Sequence, residues 1–241
     1  VPDHNAPRLF VTSPLPGPVG FDAPQANYLR NVLRLAPGDR IRVFNGRDGE
    51  WLAAIAALDR KGGTADARER LSPQVPLASL WYAFAPLKQA RLDYMVEKAT
   101  EMGAGRLVPV LTQHGQVRRI NRARLGANIV EAAEQCGILA VPEIVEPVPL
   151  AAFLGSLGER RLVVADEALA GLPGDAVAAI RACEPPLAVL VGPEGGFSEE
   201  ERALFAPRAV RVSLGPRVLR ADTAAVALLA LVEAAHPSRR A

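Results

Sequence analysis

The run Leu187-Ala188-Val189-Leu190-Val191, closed by Gly192-Pro193, constrains the fold more than any other segment. Every position is apolar, and the run is too short for a helix before the glycine and proline stop it. A strand with no polar alternation is buried on both faces, as happens inside a parallel sheet covered by helices. Comparable apolar runs recur from about Leu77, at 80–85, 106–111, 162–165 and 210–214. Helical spacing fills the intervals at 91–102, 122–136, 175–183, 199–205 and 223–235. This alternation predicts an α/β domain with a mostly parallel sheet.

The first seventy or so residues read differently. Arg8-Leu9-Phe10-Val11, Ile41 to Phe44 and Trp51 to Leu58 are strand candidates around the turn Asn45-Gly46-Arg47-Asp48-Gly49. Gln25 to Leu35 has helical spacing, with Leu29, Val32 and Leu33 on one side. A small barrel with one helix fits. The linker Gln74-Val75-Pro76 separates it from the rest of the chain, giving an expected division into 1–73 and 74–241.

Composition removes several classes. Cys136 and Cys183 are far apart, and His4, His114 and His236 are scattered, which argues against a disulfide scaffold and against any metal site. The longest apolar run, Ala224 to Val232, is too short to span a bilayer. Val1-Pro2-Asp3-His4 lacks the features of a secretory signal, so a cytoplasmic protein with no membrane partner is expected. No Walker loop, no dinucleotide fingerprint and no Gly-x-Ser-x-Gly elbow is present.

Two strand–turn–helix joints stand out. In the first, Val191-Gly192-Pro193-Glu194-Gly195-Gly196-Phe197 leaves backbone amides bare at the carboxyl end of a strand, where open α/β sheets place ligands. Ser198 and Glu201 form a capping box behind it. The acids just beyond argue against a phosphate and for an uncharged or cationic ligand. In the second, Ser213-Leu214-Gly215-Pro216-Arg217-Val218-Leu219-Arg220 enters an apolar helix that Asp222 or Thr223 can cap. Arg217 and Arg220 at one turn point to an anionic substrate, whereas a single arginine there would equally cap a carbonyl. No histidine is expected near either loop.

The net charge of +2 hides 25 arginines against 3 lysines, and Arg is the side chain that grips phosphate with a planar fork. Base composition of the genome is the other explanation for the number. Placement says more. Met102 to Val130 carries Arg106, Arg118, Arg119, Arg122 and Arg124, and Arg202 to Ala221 carries Arg202, Arg208, Arg211, Arg217 and Arg220, with no acid in either stretch. These stretches suggest a phosphate track.

The two glycine loops, with Lys88 to Pro109 (KQARLDYMVEKATEMGAGRLVP) and Glu131 to Pro142 (EAAEQCGILAVP), resemble the signatures of the RsmE-type 16S rRNA uridine-N3 methyltransferases of the SPOUT superfamily. Arg8-Leu9-Phe10 and Asn27 to Asp39 resemble that family's small RNA-binding domain, so the resemblance covers nearly the whole chain. Ala221-Asp222 stands where the family usually has Thr-Glu, and Ile138 where it usually has Arg.

The resemblance implies an N-terminal PUA-like β-barrel and a C-terminal SPOUT α/β domain tied in a trefoil knot. It implies S-adenosyl-L-methionine as cofactor, 16S rRNA of the small ribosomal subunit as partner, and a homodimer. Val191, Gly192, Pro193, Glu194, Gly195, Gly196, Leu214, Gly215, Val218 and Leu219 are the candidate cofactor residues. Arg220 and Glu194 are the candidate catalytic residues; for Glu194 a loop-bracing role stands beside a role as base or positioning group. Arg8, Arg30, Arg34, Lys88, Arg118, Arg119 and Arg217 are the candidate RNA contacts, with Arg30 and Arg34 on one helix face. A SPOUT methyltransferase for another RNA position is the alternative enzyme, and a non-catalytic ribosome-assembly factor is the alternative outside enzymes.

Overall fold

The computed structural model describes residues 6–237; His4 and the outer ends of the expected domains lie outside them. The chain divides into two units, one ending at Pro76 and also taking Ala133–Val141, the other formed by the remainder.

In the first unit, β1 (Arg8–Phe10), β2 (Gly17–Phe21), β3 (Arg40–Phe44), β4 (Glu50–Leu58) and β5 (Gly63–Ser72) form one sheet in the order β1-β3-β4-β5-β2. The β1–β3 pair is parallel and the others are antiparallel. Among the described residues the strand path runs from β1 to β2. Three register shifts between β4 and β5 mark bulges, the usual device for bending a strand. Val19, Phe21, Leu29, Ile41, Val43 and Ile55 fill the core, each contributing roughly 1.5–3 kcal/mol by burial.

The helix expected over 25–35 is two pieces. Helix α1 (Ala23–Asn27) starts in a capping box between Asp22 and Gln25, and Tyr28–Val32 continues as a π-helical turn. Arg34 lies beyond it with φ of 59°, so Arg30 and Arg34 do not share a helix face.

Arg8, expected as an RNA contact, is turned inward. Its Nε donates to Glu50 at 2.6 Å, and its Nη atoms donate to the carbonyls of Ala133, Glu134 and Ile138. It covers the Phe44 ring at 4.4 Å as well. A guanidinium spent on the last carbonyls of a helix is a structural cation. Ile138 packs with Phe44, Ala133 and Leu139, so an apolar contact occupies the place of the family's usual arginine.

In the second unit, β6 (Trp81–Phe84), β7 (Arg106–Leu111), β8 (Glu143–Ile144), β10 (Arg161–Ala165), β11 (Leu187–Val191) and β12 (Ala209–Val212) form a parallel sheet in the order β12-β10-β11-β6-β7-β8, and β9 (Val148–Pro149) pairs β7. Strand β11 lies between β10 and β6 with all five residues buried, as its uniform apolarity requires. Helices α2 (Gln89–Glu101), α3 (Arg122–Cys136), α4 (Leu150–Ser156), α5 (Ala176–Arg181), α6 (Glu199–Phe205) and α7 (Ala221–Ala235) complete the element order, α3 crossing into the first unit at Ala133. Helix α7 buries Ala224, Ala225, Leu228, Leu229 and Val232 and packs on α2, α5 and β11. Arg220, not Asp222 or Thr223, holds its N-cap position, without a side-chain cap; Asp222 instead accepts from Thr223 N at 2.9 Å.

Among the described residues, no helix is long and apolar enough to cross a membrane, and no group of three or more His, Cys, Asp or Glu could hold a metal ion.

Candidate cofactor cleft and its neighbour

Strands β10, β11 and β12 are adjacent and parallel, so their carboxyl ends release three loops at one place. Between these loops lies a cleft of about 520 Å³. Val191, Gly192, Pro193 and Glu194 line it from the first glycine loop, and Leu214, Gly215, Arg217, Val218 and Leu219 from the second. Ala165, at the end of β10, and Asp166, Glu167 and Ala170, in the loop after it, belong to neither glycine motif. A signal for them exists in the sequence, since the run 162–165 predicts a third parallel strand whose carboxyl end also belongs to this edge.

The loop after β10 is anchored by charge. Asp166 has no exposed side-chain surface and accepts from Arg211 Nε at 2.6 Å, Arg202 Nε at 3.3 Å and Ala168 N at 3.1 Å. Glu167 pairs with Arg202 and accepts from Phe197 N at 3.2 Å, which ties this loop to the first glycine loop. Gly171 N donates to Gly215 O at 3.2 Å, tying it to the second.

Glycine is required at two of these positions. Gly196 has φ of 69°, and a Cβ there would land on the Glu167 carboxylate. A Cβ on Gly192 would meet the buried Phe197 ring at 2.9 Å. Gly196 therefore shapes the loop against Glu167.

Glu194 pairs with Arg91 of α2, which also lies 3.9 Å from Asp222 of α7. An acceptor already held by a guanidinium braces the loop, so the arrangement favours the bracing role over that of a base. Arg220 is exposed between Leu219 and Ala221, both of which line the cleft, while Arg217 is itself in the wall.

Pro193 and Glu194 also line a second, shallow cleft, with Lys88, His114, Gln116 and Gly195 among others. Along the sequence no histidine is near the loops; the fold brings one there. His114 Nδ1 lies 3.0 Å from Gly195 O and 3.1 Å from Gly196 O. The backbone beside it is anchored too, because Gln113 N donates to Glu201 at 2.8 Å while Glu201 and Ser198 form the expected capping box. At the start of α6, hydrogen bonds from its own backbone and from Ser198 hold the Glu200 carboxyl below its ordinary range, with His114 adding to the effect.

The acid-free arginine stretches are not acid-free in space. Arg202 and Arg211 serve Asp166, Arg122 pairs with Glu146, and Arg124 pairs with Asp93. Arg208 donates to the carbonyls of Leu154 and Gly158. Arg106 lies over Trp81 with its Cζ 4.7 Å from the ring centroid. Arg118, Arg119, Arg217 and Arg220 remain exposed, with no ion pair among the described residues.

Fold and site together define an α/β ligand-binding domain, with its cleft at the carboxyl ends of parallel strands, joined to a small β unit. Residues 73–233 match an RNA methyltransferase domain, and residues 21–66 match an RNA methyltransferase PUA domain. The chain belongs to this RNA methyltransferase family. The ribosomal RNA small subunit methyltransferase E of Rickettsia conorii is 31% identical over 86% of this chain and 85% of its own length. The protein of the same name from Synechocystis is 32% identical over 87% of this chain and 71% of its own. Among solved structures, a Legionella pneumophila protein with bound SAM superposes with a TM-score of 0.83 at 29% identity, covering 95% of this chain and 98% of that one. A Neisseria gonorrhoeae ribosomal RNA small subunit methyltransferase E bound to S-adenosyl methionine does so with a TM-score of 0.81 at 25% identity, covering 95% and 97%.

Proposed function

We propose that this protein methylates N3 of a specific uridine in 16S rRNA of the small ribosomal subunit, in the cytoplasm, using S-adenosyl-L-methionine. The observation that carries the reading is the glycine-walled cleft formed where three parallel strands end, in a chain of this family. Its wall suits a nucleoside. Val191, Leu214, Val218, Leu219 and Ala224 offer apolar surface, and the backbone at Gly192 and Gly215 can be approached closely. When bound, the cofactor supplies an electrophilic methyl group on a sulfonium.

The remaining work falls to the protein. N3 lies on the Watson–Crick edge, so the uridine must be unpaired, and taken out of its stack, before it can enter. Lys88 lines the second cleft, beside the loop that the two clefts share. Arg220, at the rim, polarises a uracil carbonyl and stabilises the charge that develops as N3 loses its proton. Glu194, braced by Arg91, positions the first loop. Arg118, Arg119 and Arg217 on the catalytic unit, and Arg30 and Arg34 on the small unit, contact phosphates.

Labour is then divided near residue 73, with RNA grip before it and transfer after it. A trefoil knot in the C-terminal part of the α/β domain is supported by the family resemblance and by the loop ties Glu167–Phe197 and Gly171–Gly215. A homodimer is supported by the same resemblance and by Val218, 71% exposed at the cleft rim.

Titration calorimetry tests the cofactor part of this reading. The wild-type protein is expected to bind S-adenosylmethionine. Gly196→Ala is expected to bind at least about tenfold more weakly, a loss of about 1.4 kcal/mol, because its Cβ displaces Glu167 from the loop. No binding heat in the wild type contradicts the reading and favours a non-catalytic RNA-binding factor.

A further inference from the structure

We propose that His114 is the general base that removes the N3 proton; this rests on the uridine-N3 reading above. Its partners set its tautomer. Both partners of Nδ1 are backbone carbonyls, which only accept, so Nδ1 carries the hydrogen and donates to Gly195 O and Gly196 O. In the neutral ring Nε2 is then the nitrogen with a free lone pair. The ring is oriented by the loop and exposed, and the residue lines the second cleft. An oriented imidazole with one nitrogen committed and the other open is the arrangement a proton acceptor needs.

Position supports the same role. The two clefts share Pro193 and Glu194, so the loop that lines the first also lines the cleft that holds His114. The charged groups around His114 are Lys88 and Glu194 in the cleft wall and Glu200 at the start of α6. Glu194 is held by Arg91 and Glu200 by hydrogen bonds at the start of α6, which leaves His114 Nε2 as the open acceptor among these residues.

The step balances without a further reactant. The proton on N3 passes to His114 Nε2, giving an imidazolium. The electron pair of the broken N–H bond forms the new N3–CH₃ bond. The pair of the breaking S–CH₃ bond stays on sulfur, and the imidazolium returns its proton to solvent.

The experiment measures kcat/KM for rRNA methylation against pH at saturating cofactor, for the wild type, His114→Asn and His114→Ala. Asparagine keeps an N–H donor for the two carbonyls but cannot titrate. The wild-type profile should rise with unit slope until the imidazole is neutral and then level off. His114→Asn should lose about 10²–10⁴-fold at neutral pH, lack that levelling limb, and climb toward alkaline pH as the uracil ionises by itself. Its cofactor affinity should match the wild type. Added imidazole should restore part of the His114→Ala activity. A His114→Asn enzyme with nearly full activity and the wild-type pH profile overturns the assignment. So does a loss of activity that tracks a loss of cofactor affinity, since that is loop bracing alone. A wild-type protein that binds cofactor but makes no N3-methyluridine overturns the functional reading instead, and the two failures are therefore distinct.

Discussion

Asp166→Ala is expected to lower the unfolding free energy by about 3 kcal/mol. The carboxylate is fully enclosed, and Arg202 and Arg211 both converge on it with 17% and 33% of their own side-chain surface exposed. Removing it leaves two guanidiniums facing each other without the charge that holds them. The figure lies at the low end for breaking a buried pair, because both arginines reach solvent and Arg202 keeps Glu167 and Glu199. Urea denaturation measures it, and a loss below about 1 kcal/mol, the scale of a surface pair, contradicts this account of the loop. The same variant should bind S-adenosylmethionine more weakly, since Asp166 lines the cleft and orders the loop that ties Phe197.

Arg220→Ala is expected to reduce kcat for methylation by about 10²–10³-fold, equivalent to about 2.7–4 kcal/mol of transition-state stabilisation. Cofactor affinity should stay at the wild-type level, because Arg220 is outside the cleft wall that Leu219 and Ala221 form. Stability should stay as well, since the exposed side chain does not cap α7. Steady-state methylation with calorimetry in parallel separates these effects. Activity within a few-fold of the wild type, at unchanged cofactor affinity, removes Arg220 from the chemistry. Arg217 gives the contrast: it lines the cleft, so its loss should weaken binding as well.

The legible part of the fold rests on local signals. Strands β7 and β11 and helices α3 and α6 run where the apolar period and the Ser198 capping box place them. Strand β5 is hidden because its inward positions are Ala65 and Ala67, which are too small to stand out against the charged residues beside them. Helix α4 is hidden because it is short and begins after Pro149 with no side-chain cap. The glycine loops announce the cleft, whereas the acids of its third wall, in the loop after β10, are signalled only by the strand that precedes them.

Two larger features depend on tertiary structure alone. Counting acids along the chain makes Arg202 and Arg211 look free, whereas Asp166 reaches them from 36 and 45 residues away. His114 reaches Gly195 from 81 residues away, so no spacing rule could join them. Arg8 shows the converse, since a positive side chain in an RNA-binding unit can serve only its own fold.

The most direct test of the central claim is to incubate the protein with small-subunit rRNA and methyl-labelled S-adenosylmethionine, and then to map the label by mass spectrometry of nuclease fragments. The account predicts a single labelled uridine carrying the methyl on N3. Label on a ribose, on another base or at another ring position contradicts it, as does rRNA that stays unlabelled, whether free or in the assembled subunit, while the protein binds the cofactor.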